Sequence, residues 1–217
     1  MSRALAVIIL STFVFITATS EAQAHPAGEN SIVIAPHVGV TVPQLFSDLG
    51  SWPIFGLEMG YIMPFDAGPF TRPLQVSLDV MYTAPGATGV GANPHLGTDG
   101  GNYEWTLQQR MLILQIGALW RFMAPGEFVS AYALAGPRVY LMESVLTASG
   151  NGGADFGENR ETNTEYGFVV GGGADFAVGP GTIFATLYLG LSGLEQRITG
   201  DANTAAFALS AGYRLYF

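Results

Sequence analysis

The last eleven residues of the chain, FALSAGYRLYF at 207–217, alternate in character from one position to the next. Phe207 and Phe217 belong to an apolar set, whereas Ser210 and Arg214 belong to a small or polar set. A period of two residues is that of a β-strand, whose successive side chains point to opposite faces of a sheet. The chain therefore ends in a predicted strand with one apolar and one polar face.

The same alternation recurs in seven earlier segments, which are separated by stretches rich in Gly, Pro, Asn and Asp. Such stretches mark turns and loops. No helical pattern is visible after residue 24. The sequence predicts eight strands, near residues 31–42, 53–64, 73–84, 104–122, 128–143, 164–178, 182–197 and 204–217.

Two all-β architectures explain this alternation. In a soluble sandwich the apolar faces pack on a shared core, whereas in a transmembrane barrel they face lipid and polar or small residues line the lumen. The segments are at least as long as the ~9–11 residues that a membrane strand needs, aromatic residues lie at their ends, and short connections alternate with long ones. We therefore predict an all-β fold, an eight-stranded antiparallel up-and-down transmembrane β-barrel. The sandwich stays open as the alternative, although it does not explain the alternating connection lengths.

The composition excludes several functions. The chain has 217 residues, a formal net charge of −9 and no cysteine. An acidic protein lacks the basic face that phosphate recognition requires, so we expect no nucleic-acid partner. Without cysteine there is no disulfide, no thiolate metal ligand and no cysteine nucleophile. We predict neither a metal site nor a cofactor.

The amino terminus has the layout of a secretory signal peptide. Arg3 precedes an apolar run from Ala4 to Ala18, and the small residues Ala22 and Ala24 follow in AQA. The run is shorter than the ~20 residues that span a bilayer as a helix, so an uncleaved anchor is the less favoured interpretation. We predict a signal peptide at 1–24 and the barrel at 25–217.

Charged residues occupy the predicted inner faces of several strands. An eight-stranded barrel is just wide enough to be filled by side chains, and an unpaired charge in such an interior is costly. We therefore predict a structural plug of ion pairs, whose candidate members are Glu58, Asp79, Arg121, Arg138, Asp175 and Arg214. A gated ion path through the same residues is the alternative.

Catalysis and calcium binding have weaker support. The chain has three histidines, and His37, on a strand, has no recognisable serine motif beside it for acyl chemistry. We therefore predict that the protein is not an enzyme. Asp155, Glu158 and Glu161 offer oxygen ligands in a Gly-rich stretch, but their spacing is not that of an EF-hand, and a solvated loop is the preferred interpretation.

The strand number, the connection pattern and the terminal YRLYF at 213–217 resemble the small eight-stranded outer-membrane barrels of the OmpA/OmpX/OmpW-like group. The resemblance implies the outer membrane of a bacterium as location, after signal-peptide cleavage, with outer-membrane lipid, lipopolysaccharide and the barrel-assembly machinery as partners. It also implies that Tyr213, Leu215 and Phe217 form the assembly signal.

The implied role is structural or one of surface interaction. Passive passage of small or hydrophobic solutes is the alternative, followed by a lipid-modifying enzyme.

Overall fold

The computed structural model describes residues 31–42, 49–63, 74–92, 101–122, 128–150, 155–193 and 206–217. All of the strand pairings within these ranges are antiparallel. The strands are β1 Ile32–Val42, β2 Trp52–Ile62, β3 Leu74–Thr83, β4 Gly86–Ala92, β5 Asn102–Arg121, β6 Val129–Gly150, β7 Asp155–Val178, β8 Gly181–Ser192 and β9 Ala206–Tyr216. The described residues include no helix with the length and apolar character needed to cross a bilayer.

The sheet closes on itself into a barrel of eight staves. β1 pairs with β2 on one side and with β9 on the other, and β3 pairs with β5. β3 and β4 are one interrupted stave, because Thr83 pairs with Met111 and Gly86 pairs with Gln108 of the same strand. Pro85, which has no N–H to donate to a sheet, lies at the interruption. The predicted fold class is confirmed.

The seam of the barrel joins the two ends of the described chain. Ile32 N donates to Phe217 O at 3.0 Å, and Phe217 N donates to Ile32 O at 2.9 Å. Closure leaves no unpaired edge around the ring of staves, which is what a structure surrounded by lipid requires.

The predicted faces agree with the observed burial. Apolar side chains point outward on all eight staves, with Ile116 56% and Leu209 57% exposed, while polar and charged residues of the opposite parity are buried. This polarity is the reverse of a soluble core and is that of a transmembrane barrel. Outward aromatic residues lie near both ends of the apolar belt, including Tyr82 and Tyr166 at one end and Trp120 and Phe176 at the other.

The strands reach further than predicted at the end of the barrel where the long connections lie. β6 continues to Gly150 instead of residue 143, β7 begins at Asp155 instead of 164, and β4 occupies part of a stretch predicted to be a loop. Residues 194–197, the predicted end of the eighth segment, lie outside the described residues. The predicted strand bounds were too short because they relied on alternating hydrophobicity, which these extensions lack. The backbone of an extension can still form hydrogen bonds with a neighbouring strand, whatever its side chains are.

The extensions form a protruding sheet, defined here as β4, residues 102–110 of β5, 143–150 of β6 and 155–164 of β7. β5, β6 and β7 have 20, 22 and 24 residues, compared with 11 in β1, β2 and β9. The pairing of Tyr103 with Gly150 continues the ladder far beyond the apolar belt. The barrel thus carries an ordered sheet at one end.

Candidate functional site in the barrel interior

A closed ring of hydrogen bonds crosses the interior near the short-turn end, and in it Arg214 is bonded to two carboxylates. The guanidinium of Arg214 lies 3.1 Å from the carboxylate of Glu58, measured from Nη2 to Oε2, and its Nη1 is bonded to Asp175. Its side chain is 0% exposed. It also lies over the rings of Phe184 and Tyr132, with Cζ 4.0 and 4.8 Å from the centroids.

Two further side chains complete this interior ring. Arg121 contacts Asp175 at 3.4 Å and donates to Gln75 Oε1 at 2.8 Å. Gln75 in turn donates to Glu58 Oε1 at 2.6 Å. The interior ring therefore runs Glu58–Arg214–Asp175–Arg121–Gln75 and back, with one member from each of β2, β9, β7, β5 and β3.

The structure brings four of the six candidate plug residues into this ring and leaves two outside it. Asp79 is bonded to His37, whose Nε2 lies 3.0 Å from Asp79 Oδ1. Arg138 has no carboxylate partner among the described residues, which corrects the expected ion pair. Its guanidinium instead donates to Gln115 Oε1 at 2.5 and 3.1 Å and lies 5.6 Å from the centre of the Tyr188 ring.

The neutral partners were not predicted. Gln75 and Gln115 lie on the inward parity and were therefore recognisable as interior residues, but their bridging role depends on which strands become neighbours. Tyr132 donates or accepts a 2.5 Å bond with Thr186, and it also had no distinguishing signal in the sequence.

An apolar cluster fills the interior beyond the ring, toward the protruding sheet. We call it the methionine cluster; it comprises Ile54, Met81, Met111, Ile113, Tyr140 and Met142, each at most 3% exposed. The pair Gln109 and Ser144, bonded at 3.1 Å, lies above it. The lumen is thus filled in layers, first ionic and then apolar.

Several buried polar atoms have no protein partner among the described residues. They include His37 Nδ1, Asp79 Oδ2, Arg121 Nη1 and Ser210 Oγ. Buried polar groups are normally paired with protein or with ordered water, so each such atom requires a specific explanation.

The other predicted sites lie elsewhere. Asp155, Glu158 and Glu161 lie on β7 in the protruding sheet, which corrects the expected solvated loop. Asp155 Oδ1 accepts from Gly157 N at 2.8 Å. No group of three or more His, Asp or Glu side chains in the described ranges could hold a metal ion. The predicted signal peptide at 1–24 lies outside those ranges.

The predicted assembly signal lies at the end of β9, with Phe217 directly after the strand. Phe217 is 63% exposed on the outer surface, and Tyr213 OH donates to Val178 O at 2.8 Å. Leu215 shares this outward parity.

The closed fold, the apolar outer surface and the interior filled by an ionic and an apolar layer define a small transmembrane-type β-barrel. Comparison with protein-family models gives no match, and comparison with curated proteins gives none either.

Among solved structures, the chain is similar to the attachment invasion locus protein Ail of Yersinia pestis, with 16% identity over 87% of this chain and 100% of Ail, at a TM-score of 0.45. It is similar to the amino-terminal β-barrel domain of Pseudomonas aeruginosa OprF, with 17% identity over 88% and 99% of the two chains and a TM-score of 0.46. Neisserial surface protein A shares 18% identity over 86% and 97%, also at 0.46.

Proposed function

We propose that this protein is a bacterial outer-membrane barrel with a sealed lumen, which anchors the protruding sheet at the cell surface in a structural or interaction role. The interior ring is the observation that carries the proposal. Its five members span the lumen and are each at most 3% exposed. We infer that these bonded side chains block the passage of solutes through the described part of the lumen.

The proposed location rests on the outer surface of the barrel. A belt of exposed apolar side chains surrounds all staves, and such a belt is stable only against lipid or detergent. On β5, β6 and β7 the belt ends where the exposed pairs Arg110–Glu143 and Arg160–Glu143 begin, at 3.6 and 2.9 Å. The proposed partners follow: lipid and lipopolysaccharide at the belt, and the assembly machinery at the carboxy-terminal strand.

The interaction role rests on the protruding sheet. It is polar on its outer face, with Glu104, Thr106 and Gln108 on β5, and it holds apolar Val90 72% exposed on β4. Long ordered strands cost less entropy on binding than flexible loops, because they are already fixed before a partner arrives.

Catalysis is not part of the proposal. His37 and Asp79 form a dyad, but both are buried in the barrel interior, at most 3% exposed, where we expect a lipid substrate to have no access. Ser210 lies on the neighbouring strand, with its pairing partner Gly39 two residues from His37. The support for a non-enzymatic role is therefore the buried position of the dyad. Identical lipid A and phospholipid in cells that express the wild type and in cells that express His37→Ala would agree with it.

The seal is tested by conductance in planar bilayers. We expect the wild-type protein to give no discrete current steps. The double variant Arg121→Ala, Arg214→Ala removes the two largest ring members and serves as the opened control, with folding checked by the mobility of the unboiled protein on a gel. Sustained conductance of the wild type would overturn the sealed role and favour passive transport.

The orientation is tested with single cysteines, since the native chain has none. In intact cells, Thr88→Cys in β4 should react with a membrane-impermeant maleimide, whereas Pro180→Cys in the β7–β8 turn should react only after lysis. The opposite pattern would place the protruding sheet in the periplasm and remove the surface role.

A further inference from the structure

His37 and Met81 face each other across a glycine inside the barrel. In the strand register His37 pairs with Gly56, and Gly56 pairs with Met81. A Cβ on Gly56 would collide with the imidazole of His37 and would lie 2.9 Å from Met81 Cγ. The absence of a side chain at Gly56 therefore allows the imidazole and the thioether chain to share one space.

Asp79 holds the imidazole of His37, and the Nε2–Cε1 edge of the ring lies nearest to Gly56. A carboxylate accepts hydrogen bonds, so Nε2, 3.0 Å from Asp79 Oδ1, carries the hydrogen. Nδ1 is then left with a lone pair, and it has no partner among the described residues although His37 is only 3% exposed. A carboxylate that fixes the tautomer and orientation of a histidine is the usual arrangement behind a histidine that binds a metal.

Two more thioethers adjoin Met81. Met111 and Met142 are directly paired across β5 and β6, and both belong with Met81 to the methionine cluster. Directly opposed residues have Cβ atoms about 5 Å apart, and methionine has three rotatable bonds, so sulfur atoms on these strands can converge. Three thioethers and one imidazole nitrogen form a soft donor set.

The buried charges favour a monovalent ion. The fully buried charged groups of the described interior are three arginines and three carboxylates: Arg121, Arg138, Arg214, Glu58, Asp79 and Asp175. They balance when His37 is neutral, so each added charge is uncompensated and a divalent ion is penalised more than a monovalent one. A neutral imidazole and thioethers bind without releasing a proton.

We propose that the barrel interior binds one soft monovalent cation, Cu(I), through the thioethers of Met81, Met111 and Met142 and through Nδ1 of His37. Asp79 is a positioning residue that holds the imidazole. This binding site is separate from the interior ring and goes beyond the sealed, surface-anchoring role.

The competing explanation is that the methionines only fill the apolar core, as methionine often does. The two explanations differ in one respect: methionines that only pack the core would bind no metal. Replacement by leucine conserves volume and keeps the packing while it removes the sulfur. Met59→Leu is the matched control, because Met59 lies on β2 but faces outward at 43% exposure.

The test is titration of the purified full chain in detergent with Ag(I), a redox-stable probe of Cu(I) sites, in competition with a chromophoric chelator. We expect one Ag(I) per chain in the wild type and in Met59→Leu. The double variant Met81→Leu, Met111→Leu should bind at least ~10-fold more weakly, and Asp79→Asn should lose about 10–100-fold through the misoriented histidine. X-ray absorption of the Cu(I)-loaded protein should show sulfur and nitrogen neighbours.

Absence of Ag(I) binding in a correctly folded wild type would overturn the proposal, as would equal weakening in Met59→Leu. Folding of each variant is checked by the mobility of the unboiled protein. A barrel that conducts no current in planar bilayers and binds no Ag(I) would contradict the metal site but agree with the proposed sealed lumen. Failure of the metal proposal can therefore be told apart from failure of the proposed function.

Discussion

Arg214 and Glu58 are 156 positions apart in the sequence, yet Nη2 of the guanidinium lies 3.1 Å from Oε2 of the carboxylate. They belong to β9 and β2, which do not pair with each other because β1 lies between them. Their contact exists only when β1 and β9 close the barrel. The buried pair therefore depends on closure and also fills the space that closure creates.

Removal of one partner of this pair should destabilise the barrel strongly. Arg214→Ala leaves Glu58 and Asp175 buried without their shared cation, and breaking a buried pair costs about 3–5 kcal/mol. Urea unfolding in lipid vesicles measures the loss. Arg110→Ala is the control, because its pair with Glu143 is exposed and should contribute less than about 1 kcal/mol. Equal effects of the two substitutions would refute the buried ring as a stabilising element.

A side chain at Gly56 should be poorly tolerated. In Gly56→Ala the new Cβ meets the His37 ring, which is buried and held by Asp79, so the ring must shift or the strands must separate. Overpacking of this kind costs about 1–3 kcal/mol. Gly50→Ala is the matched control, since a Cβ there meets nothing within 4 Å. Thermal unfolding in detergent compares the two variants. An unfolding temperature of Gly56→Ala equal to that of the wild type would show that His37 and Met81 are loosely packed around Gly56.

A charge on the outer surface should distinguish lipid from water as the surrounding medium. Ile116 lies between Leu112 and Trp120 in the apolar, outward-facing part of β5 and is 56% exposed. Ile116→Arg should lose about 2–4 kcal/mol in a bilayer, as expected for a charge at the midplane. Val90→Arg, on the protruding sheet, should have little effect. If Ile116→Arg were as stable as wild type and the protein stayed soluble without detergent, the membrane location would be wrong.

The side chain of Phe217 should matter for assembly more than for the folded barrel. Its backbone forms the seam with Ile32, and those bonds persist in Phe217→Ala. We expect a lower level of the variant in the outer-membrane fraction, measured by immunoblot, with nearly unchanged unfolding of the purified protein. Leu187→Ala, also on the lipid-facing surface, controls for lost apolar area. Equal membrane levels of both variants would argue against an assembly signal at Phe217.

The alternation in the sequence determined the faces of the staves and therefore the inside-out polarity of the fold. Along FALSAGYRLYF, for example, Arg214 had to point inward if Leu209 pointed to lipid, because the period of a strand is two residues. The same rule placed Asp79, Arg121 and Asp175 in the lumen. It did not predict the protruding sheet, because strands without an apolar face show no alternating hydrophobicity.

The tertiary structure decided which inward residues meet. Glu58 is bonded to Arg214 across β1, and Arg138 is bonded to Gln115 instead of a carboxylate. His37 and Met81 both approach the space that a side chain on Gly56 would fill. These partners depend on the stagger between neighbouring strands and on the closure of the barrel. Both are properties of the whole sheet, whereas alternation is local and survives any shift of register by two residues.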